Sequence, residues 1–373
     1  MSFVDTFNQL PSERSALIRR FEGLVAHVSD DGLERMAKDA ADLTRQKFGR
    51  TMRLFAPLYV SNECVNNCDY CGFSRDNPIL RTTLTIPQVV AEAAHLLDQG
   101  FRNILLVAGE HPKFVSDGYL EDCLEALREL CPTLGIEVGP METPEYARMV
   151  DAGCEGLVVY QETYDREVYA RMHTAGPKKN FDWRLECPER GYDGGFRRIG
   201  VGALMGLADW RAETTALAAH LDYLQKHCWK ASYTVSLPRL RPAAGGFQPM
   251  TEFGDRDLVQ ALCAFRLCFP EVGFILSTRE PEALRDAMVP LGVTHMSAGS
   301  HTEPGGYTRV GEDDLHLTVK GRRVERDCPT GEDRATGQFG IADERAPQEV
   351  AARLSELGFE PVWKDWDAAL LRS

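Results

Sequence analysis

Residues 54–73 read LFAPLYVSNECVNNCDYCGF. An apolar run of strand length, 54–60, passes straight into a loop carrying Cys64, Cys68 and Cys71, spaced by three and then two intervening residues. The same grammar continues downstream. Strand-like runs recur at 103–107, 135–138, 156–160, 197–203, 232–237, 273–277 and 293–298. Helical patterns fall between them at 86–98, 118–130, 144–151, 210–227, 255–269 and 283–288. Thr85 and Gln88 form the two halves of a capping box for the first of these helices, and Pro87 sits in its first turn, where a missing N–H costs nothing.

Strict alternation of strand and helix calls for a parallel sheet, and eight units in about 240 residues fit a closed TIM-type (β/α)8 barrel. The functional face is then at the C-terminal ends of the strands, where the three-cysteine loop lies. An open doubly wound sheet is the alternative, but no GxGxxG or GxxxxGK[ST] follows any strand. Amphipathic helical spacing over 9–49 predicts an N-terminal helical cap, giving segments 1–50 (cap), 51–310 (barrel) and 311–373 (appendage). The appendage opens with a charged, Gly-containing stretch to 337, followed by a helix at 347–357 and a last segment at 363–371.

The 373 residues are 43% hydrophobic and 26% charged, the balance of a water-soluble globular chain, and no apolar run reaches the roughly 20 residues that span a bilayer. A formal net charge of −14 sets the surface against nucleic acid, and no dense Lys/Arg cluster favours a membrane. The first 20 residues lack a signal or transit signature, so the expected location is cytoplasmic. Eight of the eleven cysteines, among them Cys328, are scattered and read as small buried hydrophobes.

The three clustered thiolates are soft ligands that select zinc or an iron–sulfur centre. A structural zinc site wants four protein ligands, and His111 and His173 stand alone in the sequence. A redox pair, Cys68 with Cys71, leaves Cys64 unexplained. A [4Fe–4S] cluster uses all three and leaves one iron open, which an amine and a carboxylate can chelate; S-adenosylmethionine (SAM) offers both.

Cys-x3-Cys-x2-Cys with an aromatic residue before the last cysteine resembles the radical SAM signature. Longer stretches are similar to the tyrosine lyases of thiazole biosynthesis, the 2-iminoacetate synthases: CGFSRDNPILR (71–81), YQETYD (160–165), NFDWRLECPERGYDGGFRRIGVGALMGL (180–207), SLPRLRPAAG (236–245), SAGSHTEPGGY (297–307) and residues 337–367. The likeness covers about 50–367. It implies cleavage of the Cα–Cβ bond of L-tyrosine to 2-iminoacetate and p-cresol, with SAM consumed to methionine and 5′-deoxyadenosine. The product then supplies thiazole synthase in thiamine biosynthesis, and a flavodoxin or ferredoxin-type protein supplies the electron. A related lyase of hydrogenase maturation has further cysteines in a C-terminal extension, whereas Cys328 is the last here. A tryptophan lyase, or a zinc- or cluster-binding scaffold without turnover, are the competing readings.

On this resemblance and the strand-end positions, Cys64, Cys68 and Cys71 hold the cluster. SAM is expected against Tyr70, the Gly109-Glu110 turn, Gln161, Glu162, Arg184 and the segment Gly202-Ala203-Leu204. For the substrate carboxylate Arg279 is the first choice, with Arg239 and Arg241 behind it, because a planar guanidinium binds a carboxylate with two bonds. Ser297 and Ser300, at the end of strand eight, are expected against the amine or carboxylate. Tyr160, Tyr164, Glu162 and Tyr307 are the candidates to manage the phenol proton.

Overall fold

The computed structural model describes residues 3–9, 14–115, 118–325 and 333–364. All eight expected strands form: β1 Thr51–Ser61, β2 Asn103–Ala108, β3 Thr133–Glu137, β4 Gly156–Glu162, β5 Arg198–Ala203, β6 Ser232–Ser236, β7 Gly273–Leu276 and β8 His295–Ser297. Every neighbouring pair is parallel, and β8 returns to β1 with Arg53 opposite His295, so the barrel is closed. The doubly wound alternative is overturned by that pairing.

The connecting helices follow their apolar stripes. Ile86–Asp98 buries Val89, Ala93 and Leu96, and Thr85 N–H donates to Gln88 Oε1 at 2.8 Å as its capping box requires. Trp210–His227 and Asp255–Cys268 form as expected. Among the described residues the N-terminal cap comprises three helices, Phe3–Gln9, Ala16–Val25 and Asp30–Phe48. Ser15 and Ser29 each accept an N–H of the helix they begin, at 3.2 Å, which restarts the chain twice. Buried Gln260 donates to the carbonyls of Leu24 and Ala26, satisfying the end of the middle helix and fixing the cap to the barrel's outer layer.

Part of the barrel's axis is hollow. Interior strand positions are held by Gly135, Gly156, Gly200 and Gly273, where barrels of this type normally stack branched side chains. A cavity of about 230 Å³ therefore runs along the axis.

The C-terminal part does more than rest on the outside. His316–Val319 and Arg322–Val324 form an antiparallel sheet with Ile79–Arg81, the segment just past the cysteine loop. Gln338 and Phe339 reach the barrel mouth, and Pro347–Glu356 leads to a ninth strand, Glu360–Val362, which pairs with the base of β1 at Thr51–Arg53. Cys328 and most of the 363–371 segment lie outside the described residues. Among the described residues no helix is long and apolar enough to cross a membrane.

Asp343, only 1% exposed, pairs with the fully buried Arg285 and with Arg345. Asp343→Ala strands a buried guanidinium and is expected to cost about 3–5 kcal/mol. Glu356→Ala, at a surface pair with Arg353, is expected to cost under about 1 kcal/mol. Chemical denaturation of the two variants side by side reads the contrast.

Candidate active site

The cysteine loop leaves the C-terminal end of β1, and apart from a two-residue strand, Asn67–Cys68, paired antiparallel with His173–Ala175, it has no regular structure to satisfy its carbonyls. Arg81 does this instead. Its guanidinium donates to the carbonyls of Asn62, Phe73 (3.1 Å) and Ser74 (2.9 Å), and its Nε donates to Thr318 Oγ1 at 2.6 Å. Burial pulls its pKa below the usual arginine range, against the opposing field of Glu63. Three side-chain amides and a hydroxyl complete the scaffold. Asn62 Nδ2 bonds the carbonyls of Leu80 and Thr336, Asn77 Nδ2 bonds those of Cys71, Gly72 and Ala244, and Asn66 Nδ2 bonds Glu110 Oε2 at 2.7 Å. Ser74 Oγ accepts from the Cys68 N–H.

Within this frame Cys68 is buried, while Cys64 and Cys71 are partly exposed. Burial pushes the Cys68 and Cys71 thiols up, and each is pushed further by the charge of its neighbouring cysteines. Metal coordination would replace the protons. Three soft donors on one rigid loop, with Gln338 Nε2 directed at Cys71 Sγ from 3.8 Å, suit a cluster with three protein ligands. Among the described residues no three His, Cys, Asp or Glu side chains converge on a point where a single ion would sit.

Beside the loop, a charged group closes the ends of β4 and β5. Glu162 adopts φ +72°, a left-handed conformation uncommon for a residue with a side chain, at a register shift between β4 and β5. Its carboxylate accepts from Lys178 Nζ at 2.7 Å and Arg184 Nη2 at 3.2 Å. Burial alone would raise the Glu162 pKa, but these two cations hold it down to about 2. Arg184 Nε also donates to the Tyr160 carbonyl. Tyr70 packs with Cys68 and Leu204, its hydroxyl 2.8 Å from His173 Nε2 and the Lys178 ammonium 5.6 Å from its ring centroid. His173 Nδ1 bonds the Tyr169 carbonyl, so Nε2 is the acceptor and Tyr70 the donor. Burial, with Lys178 acting in the same sense, lowers the His173 pKa to about 3 and keeps it neutral. Gln161 is buried with its Oε1 lacking a hydrogen-bond partner, as a polar atom awaiting a ligand would be.

The upper end of the axial cavity lies under the cysteine loop. Tyr59, Glu137, Tyr160, Ser297, Ser300 and Arg279 line it, with Gln338 and Phe339 across the mouth. Arg279 stacks on Phe339 at 3.3 Å from its centroid. Ser300 Oγ is buried and unpartnered, whereas Ser297 Oγ accepts the Thr278 N–H. Burial pushes Glu137 up to about 7 against the pull of Arg279.

Several expected residues are placed differently. Arg239 is committed to Glu280 and to Asp255, and Arg241 reaches the Gly340 carbonyl; neither lines the cavity. Those partners take both side chains, and Arg279 alone of the three lines the chamber. Gly109 admits no Cβ because the Glu63 carbonyl would lie 2.2 Å away, so this glycine receives the cysteine loop rather than a ligand. Gly202 is likewise crowded by the Ser236 carbonyl, Ala203 is buried in the core, and Leu204 donates its N–H to Glu162 O. Of the proton-handling candidates only Tyr160 faces the cavity. Tyr164 bonds His220 in the helical layer, and Tyr307 donates to the Pro57 carbonyl. Glu137, Lys178, Tyr59 and Gln338 were missed. Glu137 ends a strand and could have been found by that position; Lys178, in the short 3-10 turn Pro177–Lys179, and Gln338, in a loop, carry no local signal.

Residues 58–216 match the Radical SAM superfamily, and residues 236–360 match the Biotin and Thiamin Synthesis associated domain. The chain is 44% identical to the 2-iminoacetate synthase of Escherichia coli (strain K12), across 94% of this chain and 87% of the relative. Among solved structures it resembles the FeFe-hydrogenase maturase HydG from Carboxydothermus hydrogenoformans, with a TM-score of 0.83 and 34% identity over 97% of this chain and 79% of that one. It shares its fold with methylornithine synthase (PylB), at a TM-score of 0.72 and 21% identity over 98% and 99% of the two chains.

Two outcomes test this geometry. Arg81→Leu is expected to lose most of the iron bound after anaerobic reconstitution, measured per chain against wild type. Glu137 has a raised pKa in the fold, so its stability contribution is full below about 4.5 and is lost as pH rises through about 7. Urea midpoints of wild type relative to Glu137→Gln should therefore fall across that window, and a constant difference would contradict the placement of Glu137.

Proposed function

The chain belongs to the 2-iminoacetate synthases of the radical SAM superfamily, and on that premise we propose that it cleaves the Cα–Cβ bond of L-tyrosine, giving 2-iminoacetate and p-cresol. The carrying observation is the pairing of a three-cysteine loop with a chamber beside it that offers Arg279 and Glu137 at the C-terminal ends of the strands. A free amino acid brings the complementary charges.

In this reading Cys64, Cys68 and Cys71 hold a [4Fe–4S] cluster. When bound, that cluster would supply the one-electron chemistry for reductive cleavage of SAM to methionine and 5′-deoxyadenosine. The chain's own residues do the rest. Tyr70 and Leu204 form an apolar wall for SAM, Gln161 Oε1 accepts from it, and Glu162, held anionic by Lys178 and Arg184, accepts at its ribose or amine. Glu110, Gly109, Gly202 and Ala203 shape the backbone around that space. Arg279 takes the substrate carboxylate, Ser300 Oγ donates to it, and Glu137 receives the ammonium. Tyr160 is the residue placed to relay the phenol proton, and Ser297 supports the wall. The enclosing Gln338 and Phe339 keep water from the chamber. The division into cap (1–50), barrel (51–310) and appendage (311–373) belongs to the same proposal. So do a cytoplasmic setting, a flavodoxin or ferredoxin-type donor, and delivery of the product to thiazole synthase.

Anaerobically reconstituted protein with SAM, dithionite and L-tyrosine should yield p-cresol and 5′-deoxyadenosine together. Cys71→Ala should yield neither. Arg279→Ala should lose at least tenfold in kcat/KM for p-cresol while still cleaving SAM. Deoxyadenosine without p-cresol from wild type, or p-cresol release unaffected by Arg279→Ala, would move the substrate elsewhere, with L-tryptophan the next amino acid to supply.

A further inference from the structure

Gln338 stands between the chamber and the cysteine loop, 267 residues beyond Cys71 in the chain. Its backbone is fixed on both sides: its carbonyl accepts the Gly72 N–H at 3.0 Å, and its N–H donates to the Thr302 carbonyl at 2.9 Å. A Cβ on Gly72 would lie 2.4 Å from that carbonyl, so the loop and this segment are in closest approach. The main chain alone therefore holds the two together, and the side chain is available for something else.

That side chain reaches in two directions. Oε1 accepts the Tyr59 hydroxyl at 2.8 Å, and Nε2 faces Cys71 Sγ at 3.8 Å. The amide's orientation follows from chemistry. A thiolate bound to iron carries no proton and can only accept, so the nitrogen must face the sulfur. The oxygen is then left for a donor, and the Tyr59 hydroxyl is one. Hydrogen bonds to the sulfurs are among the means by which a protein sets the potential of an iron–sulfur cluster, because they favour the more negative, reduced state.

We propose that Gln338 is a positioning residue that raises the reduction potential of the cluster by donating to the Cys71 thiolate, with Tyr59 holding the amide in the donating orientation. This rests on the reading of Cys71 as a cluster ligand. It assigns to the C-terminal segment an electronic role at a site whose ligands all come from residues 64–71.

The test compares wild type, Gln338→Leu, Gln338→Glu and Tyr59→Phe. Each is reconstituted anaerobically, its iron and sulfide are counted, and its midpoint potential is read by EPR-monitored redox titration without SAM or tyrosine. Gln338→Leu should keep its cluster and titrate at a more negative potential by about a tenfold change in the reduction equilibrium, about 59 mV for one electron. Gln338→Glu should shift further in the same direction, because a negative charge replaces the donor. Tyr59→Phe should shift the same way by less. A Gln338→Leu protein with full iron content and the wild-type potential overturns the proposal. Should the Gln338 variants fail to hold iron, Tyr59→Phe decides it, and an unchanged potential there overturns it equally. A wild-type protein that assembles no cluster removes the ligand reading itself, and the proposal with it.

Discussion

Arg81 carries its charge into a place where the chain has turned the carbonyl oxygens of Asn62, Phe73 and Ser74 inward, outside any helix or strand. Each of those oxygens, left without a donor in the interior, would cost on the order of 1–3 kcal/mol. A guanidinium answers this well because it presents five donors in a fixed plane and stays charged when buried. Asn62, Phe73 and Ser74 lie on both sides of the three cysteines, so a single side chain pins the entry and the exit of the loop. Its fourth bond, to Thr318, adds the small C-terminal sheet to the same knot. The positions of the thiols, the glycine contact at Gly109 and the seat of Gln338 all follow from where that loop is held.

Beneath the loop, the barrel keeps space where such barrels usually fill it. Four interior glycines remove side-chain volume, and the walls above them bear Glu137 and Arg279. Opposite charges in an enclosed space restrain each other only partly, as the raised pKa of Glu137 shows. Glu162 lies at the other extreme, with two cations in contact and a pKa near 2. Two carboxylates at adjoining strand ends thus differ in protonation because one has dedicated partners and the other faces a chamber. The strained backbone of Glu162 belongs to the same logic: β4 bulges there so that its side chain meets Lys178 and Arg184.

The barrel was legible in the sequence because its signals are local. Each strand is a short apolar run with a turn before it, and the helix at Ile86–Asp98 announces itself by Thr85, Pro87 and Gln88. The cysteine loop was legible for the same reason, its spacing being contained in eight residues. What failed was direction and distance. Arg239, Arg241 and Arg279 occupy equivalent places in the pattern, and only the path of each loop decides which faces inward. Tyr164 and Tyr307 follow barrel strands on the same face as Tyr160, two and ten residues past the strand ends, yet their hydroxyls are taken by His220 and Pro57. In the N-terminal segment the capping roles of Ser15 and Ser29 show only once the helices they begin are located. Gln338 and Lys178 matter through partners far away in the chain, and no window of neighbouring residues contains that information.

The C-terminal part returns to β1 at two levels. Glu360–Val362 pairs with its base, and Gln338 bonds Tyr59 in its upper half across 279 residues of sequence. At translation speeds of about 5–20 residues per second, roughly 14–56 s separate the emergence of Tyr59 from that of Gln338. Through that interval the nascent chain has made its three loop cysteines but not the side chain that reaches Cys71. The order of synthesis therefore makes the contact of Gln338 with Cys71 a late one, formed only after every barrel strand has been made.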